Sequence, residues 1–99
     1  VKDYVMRNYK NPEISLTSAA EFASVSTGYL SGLFKKEAGT NFVKYLTDVR
    51  MEKSMQLLRS TDMKTYEIAY ETGFSNPHYF SVSFKKYTGM SPSEFRAKE

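Results

Sequence analysis

The strongest constraint on this chain is that it repeats itself. Tyr29-Leu30-Ser31-Gly32-Leu33-Phe34-Lys35-Lys36 returns fifty residues later as Tyr79-Phe80-Ser81-Val82-Ser83-Phe84-Lys85-Lys86, and Gly39 and Gly89 continue the register. Further on, Phe42 falls over Pro92, a mismatch, and Tyr45 over Phe95. Upstream the offset is forty-nine, pairing Ala20 with Ala69, Val25 with Phe74 and Ser26 with Ser75. One residue has therefore entered the turn of the second copy. Each copy reads as a short alanine-bearing helix, a tight turn, and a longer helix with a basic end.

Breaks between the apolar stripes divide the chain into helices and leave little room for strands. Lys2 to Tyr9 carries Tyr4, Val5 and Tyr9 and stops before Asn11-Pro12. A second helix starts among Ser15, Leu16 and Thr17, carries Ala19, Ala20 and Ala23, and stops near Ser24. Ser26 caps a third that runs to about Glu37, with Leu30, Leu33 and Phe34 on one face and Gly39 as its end. The fourth, Phe42 to about Arg59, is the longest. Phe42, Leu46, Val49 and Leu57 form its apolar stripe, and Lys44, Asp48, Glu52 and Lys53 suit water. A short fifth helix spans about Tyr66 to Thr72, and Gly73 turns the chain. Asn76-Pro77 caps a sixth helix through Phe80 and Phe84 to Tyr87, closed by Gly89. Ser91-Pro92-Ser93-Glu94 joins a first-turn proline to a capping box and opens a seventh. The expectation is an all-α fold: two helix-turn-helix lobes, 1–41 and 61–99, joined by a long central helix, 42–60.

Several chemistries are excluded at this point. There is no cysteine, so disulfides, thiolate metal sites and cysteine nucleophiles are out, and a reducing cytoplasm is the natural compartment. The only histidine, His78, has no carboxylate pair or nucleophile near it in sequence, and metal-ligand spacing is absent. No catalytic residue, cofactor or metal is expected. No stretch approaches the roughly 20 apolar residues of a membrane span, so membrane contact is not expected either. The chain opens on Val1-Lys2-Asp3 with no initiator methionine, which fits a piece of a longer protein. A net charge of +3 is compatible with a polyanion partner without identifying one.

A small helix packed through alanine against a longer one, with a tight turn between, is the grammar of a helix-turn-helix. The second helix can present its wet face to a major groove wide enough to admit it. Periodicity alone leaves a second reading open, in which two similar hairpins simply form a helical bundle.

The run Glu67-Ile68-Ala69-x-x-x-Gly73-Phe74-Ser75-Asn76-Pro77-x-Tyr79-Phe80-Ser81-x-x-Phe84-Lys85-Lys86-x-x-Gly89-x-Ser91-Pro92-x-x-Phe95-Arg96 resembles the signature of the AraC/XylS family of transcription regulators. Tyr29-Leu30-Ser31-x-x-Phe34-Lys35-Lys36-x-x-Gly39 and Tyr45-Leu46-x-x-x-Arg50 are similar to its upstream part, so the resemblance covers essentially the whole chain. It implies a DNA-binding domain whose fourth helix, roughly 27 Å long at 1.5 Å per residue, joins the lobes. Successive major-groove faces lie about 34 Å apart, so one such chain can reach two of them. The partners implied are double-stranded DNA and RNA polymerase. A small-molecule or phosphorylation input would arrive through a domain outside these residues. The alternative is a helical module docking on RNA polymerase or another regulator.

By the same resemblance the first recognition helix presents Thr27, Gly28, Ser31, Gly32 and Lys35, and the second Asn76, His78, Ser81, Val82 and Lys85. Lys36, Lys86, Ser91 and Arg96 are expected at phosphates, although lysine pairs also serve simply as solvated surface. Arg50 is expected to brace the long helix, and Tyr29 and Tyr79 to pack at the lobe surfaces. Gly32 and Val82 stand where family members often carry arginine, so neither can make the bidentate guanine contact. Readout then shifts toward methyl contacts, serine, lysine and DNA shape. Val82 either meets a thymine methyl or only permits close approach. Gly28 and Gly32 each weaken a helix interior by about 1 kcal/mol against alanine.

Overall fold

Capping chemistry decides where each helix begins. In the computed structural model, which describes residues 2–98, the order is α1 (Lys2–Asn8), α2 (Leu16–Ala23), α3 (Thr27–Ala38), α4 (Phe42–Ser60), α5 (Thr65–Glu71), α6 (Pro77–Thr88) and α7 (Pro92–Lys98). Val1 and Glu99, the ends of the two expected lobes, lie outside the described residues, and no strand occurs within them. Ser15 and Ser18 exchange hydrogen bonds, each hydroxyl accepting the other's backbone N–H, and so start α2. Ser26 accepts the Tyr29 N–H at α3, and Asn41 accepts that of Lys44 at α4. Asn76 accepts two, from His78 and Tyr79, ahead of Pro77. α5 begins one residue before the sequence predicts, because the Glu67 carboxylate accepts the Lys64 N–H at 2.8 Å.

These caps correct one detail of the repeat. Ser26 and Asn76 hold the same position, before α3 and α6, so Ser26 corresponds to Asn76 and not to Ser75. Ser75 is the inserted residue. Before it the two turns superpose bond for bond: Val25 donates to the Ala20 carbonyl at 3.0 Å and Phe74 to that of Ala69 at 2.9 Å. The residue just ahead is left-handed in both, Ser24 at φ 58° and Gly73 at φ 94°.

Two separate cores form. Val5, Ile14, Ala19, Ala20, Leu30 and Phe34 close on Phe42 and Leu46 from the start of α4. Ile68, Ala69, Phe74, Phe80, Phe84 and Phe95 close on Met51 and Leu58 from its second half. The buried alanines let α2 and α5 approach their partners closely, as the helix-turn-helix grammar requires. Phe34 meets Phe42 and Tyr45 edge-on at 5.7 and 5.3 Å, and Phe84 meets Phe95 the same way at 5.4 Å. The first turns of α4 therefore do for one lobe what α7 does for the other. That explains the Phe42/Pro92 mismatch inside an otherwise regular repeat. Leu33, expected inward with Leu30 and Phe34, is only half-buried and stands outside the core. The described residues span 43 × 21 × 21 Å, with α4, about 28 Å long, shared by both lobes.

Candidate nucleic-acid interface

α3 and α6 are each twelve residues long, begin at a polar cap and end at a left-handed glycine. Burying Leu30 and Phe34 in one, and Phe80 and Phe84 in the other, fixes which side faces outward. In α3 this leaves Thr27, Gly28, Ser31, Gly32 and Lys35 exposed, and the last four form one continuous stripe. In α6 the matching stripe is His78, Ser81, Val82 and Lys85; all are exposed except Ser81, which is half-buried. Val82 is 53% exposed, and a Cβ added at Gly28 or Gly32 would meet no atom within 4 Å. These helices carry no bulky charged side chain at the centre of the stripe. Tyr29 and Tyr79 flank the stripes, 62% and 61% exposed, and the Tyr79 ring lies 6.3 Å from that of Phe74.

The basic pairs Lys35-Lys36 and Lys85-Lys86 occupy the last turns of α3 and α6, exposed, where they also complement the helix dipoles. Asn76 is exposed too, but its Oδ1 is committed to the α6 cap, leaving only its amide NH2 to face a ligand.

At two positions the surroundings differ from the expectation. Ser91 donates its N–H to the Glu94 carboxylate at 2.9 Å and accepts the Glu94 N–H on its hydroxyl. Of the backbone N–H groups expected to suit a phosphate at this helix start, that of Ser91 is thus taken by a carboxylate and that of Glu94 by the Ser91 hydroxyl, and Pro92 has none. The Ser91 backbone N–H first, and then its hydroxyl beside the carboxylate, with Lys85 nearby, hold Glu94 below its ordinary 4.5. Arg96 turns toward α4 instead of outward: Nε donates to the Leu58 carbonyl at 3.2 Å and Nη2 to that of Thr61 at 3.0 Å. It satisfies carbonyls at the end of a helix, a role that no spacing in the sequence reveals. Arg50 braces as expected, donating to the carbonyls of Tyr9 and Asn11.

Among the described residues no three His, Asp or Glu side chains gather where an ion could sit. No helix among them is long and apolar enough to cross a membrane.

Two short-helix, turn, long-helix units, fused through α4 and each presenting a capped polar helix, define a tandem helix-turn-helix domain. A family model described as a helix-turn-helix domain matches residues 19–98. The chain is 48% identical over 92 residues to the uncharacterized transcriptional regulatory protein YesN of Bacillus subtilis, covering 90% of this chain and 25% of that protein. Its fold matches the C-terminal domain of AraT, a response regulator from Geobacillus stearothermophilus, with TM-score 0.95 and 41% identity over 98% of this chain and 80% of that one. The DNA-binding domain of AdpA, solved in complex with a target DNA, has TM-score 0.90, covering 97% of this chain and 86% of that one; at 22% identity this is a likeness of fold alone. The chain belongs to the AraC/XylS family of helix-turn-helix DNA-binding domains, a family of transcription regulators and not of enzymes. It spans about a quarter to a third of the length of the first curated relatives it matches.

Proposed function

We propose that this chain is the sequence-specific DNA-binding part of a bacterial transcription regulator, with α3 and α6 entering adjacent major grooves. The observation that carries the reading is the doubled stripe: Gly28, Ser31, Gly32 and Lys35 on one capped helix, His78, Ser81, Val82 and Lys85 on its counterpart, all but Ser81 exposed. Small and apolar groups at Gly32 and Val82 favour close approach and methyl contact over guanine reading. Lys35, Lys36, Lys85 and Lys86 take phosphates, while Ser91 and Arg96 serve α7 and α4. The input domain lies outside these residues, and the likeness to the C-terminal domain of a response regulator supports a phosphoryl over a small-molecule input.

Phe22, 73% exposed on α2, and the exposed Tyr66 and Tyr70 on α5 favour a second contact, with RNA polymerase, made through helices other than α3 and α6. It adds to DNA binding and does not replace it.

Salt titrations test the phosphate assignment. Each contact contributes about 0.9 to the slope of log affinity against log salt. Replacing Lys35 and Lys36 together by alanine, or Lys85 and Lys86, is expected to lower that slope by about one to two and to weaken all sequences evenly. Slopes unchanged in both variants would remove the lysines from the interface. No measurable DNA affinity in the native chain would leave the polymerase-docking reading in its place.

A further inference from the structure

The groups that the Arg50 guanidinium touches come from both lobes. On the first-lobe side Nε donates to the Tyr9 carbonyl and Nη2 to that of Asn11, each at 3.0 Å. On the other side the guanidinium carbon stands 5.8 Å over the Phe74 ring, in the second core. Half-buried, Arg50 is drawn below the ordinary guanidinium range by desolvation. Gly73 closes the same seam. It is buried, and a Cβ there would overlap the Tyr9 carbonyl oxygen and lie 2.6 Å from Arg50 Nε. The first copy of the repeat carries Ser24 at this turn position, left-handed but exposed. The repeat thus departs from itself at the point where one lobe's backbone meets the other. Lys10 and Glu71 add an exposed ion pair across the seam at 2.9 Å, a weak contribution.

We infer that Arg50, closed against Tyr9, Asn11 and Gly73, is the positioning residue that fixes the separation and twist of α3 and α6, and so the spacing between DNA elements this chain accepts. This rests on the two-groove reading above. One base pair moves a half-site by about 3.4 Å and turns it by roughly 35°. Lobes locked to one another cannot follow that displacement, whereas lobes joined only through α4 have the freedom to do so. Arginine suits the task because its rigid fork reaches two carbonyls at once; lysine, a point charge on a flexible stem, lacks that geometry.

The test measures affinity of the native chain, Arg50→Gln and Arg50→Lys for three kinds of duplex: both selected elements at their selected separation, the same elements one base pair closer or further, and one element alone. The native chain is expected to lose about tenfold or more on a one-base-pair change. In Arg50→Gln that penalty shrinks to about threefold or less, with single-element affinity held within about twofold, and Arg50→Lys falls between. An undiminished penalty overturns the inference, as does a parallel fall on the single element, which would make Arg50 a lobe-folding residue. If Arg50→Gln fails to show native helix content, Arg50→Lys carries the comparison. If the native chain selects no paired elements, the two-groove reading fails and the spacing role with it. Amide ¹⁵N relaxation without DNA then still decides the joint: one tumbling time for both lobes in the native chain and two in the variant support it, and one in both overturns it.

Discussion

Ser24 and Gly73 hold the same place in the two copies, yet the consequences of exchanging their side chains are opposite. Serine at φ 58° bears the left-handed penalty for a side chain that gains no partner by it. Ser24→Gly is therefore expected to stabilise the chain by about 1 kcal/mol, read as a raised urea midpoint at unchanged slope. Gly73→Ala meets both a positive φ and the Tyr9 carbonyl, so a loss of more than about 2 kcal/mol is expected. Equal and small effects at the two sites would contradict the asymmetry. The sequence shows a turn at both positions through the alanine and the following apolar residue. It does not show which is crowded, because the crowding atom belongs to Tyr9, distant along the chain. For the same reason the outward stripes are legible, since Leu30, Phe34, Phe80 and Phe84 define the inward side by periodicity. The commitment of Arg96 to Leu58 and Thr61 is not legible.

At the level of elements, helix boundaries follow from caps, and caps are written locally: Ser15, Ser26, Asn76 and Ser91 each announce a helix that the structure contains. α5 is the exception, because its start depends on Glu67 reaching back to Lys64, a residue type that gives no capping signal. α7 carries a pH dependence. Ser91 favours the charged form of Glu94, so its pKa in the fold lies below the ordinary 4.5. A depressed carboxyl pKa contributes stability that is present above the unfolded value and disappears as pH falls through the folded one. The native chain is therefore expected to be more stable than Glu94→Gln near neutrality, with the difference closing as pH falls through and below the ordinary carboxylate range. Urea midpoints of both proteins across that range check this. A difference that stayed constant would mean that the charge on Glu94 is irrelevant to the cap.

Across the whole molecule, a doubled sequence has produced two cores on one shared helix. The two-lobe division is legible because the first copy ends within the first turns of α4 and the second begins only at α5, and the Phe42/Pro92 mismatch marks where α4 stands in for α7. The joint is legible only in part: the resemblance gives Arg50 a bracing role, but its bond to Tyr9 links residues forty-one positions apart and has no counterpart in the repeat. On the reading proposed above, α3 and α6 read DNA together. Selection of binding sites from random duplexes with this chain, followed by affinity measurement at several salt concentrations, tests it most directly. Two enriched elements about one helical turn, roughly 10–10.5 base pairs, apart are expected, with affinity falling steeply as salt rises. A single enriched element, or none above weak salt-sensitive binding, would contradict that reading.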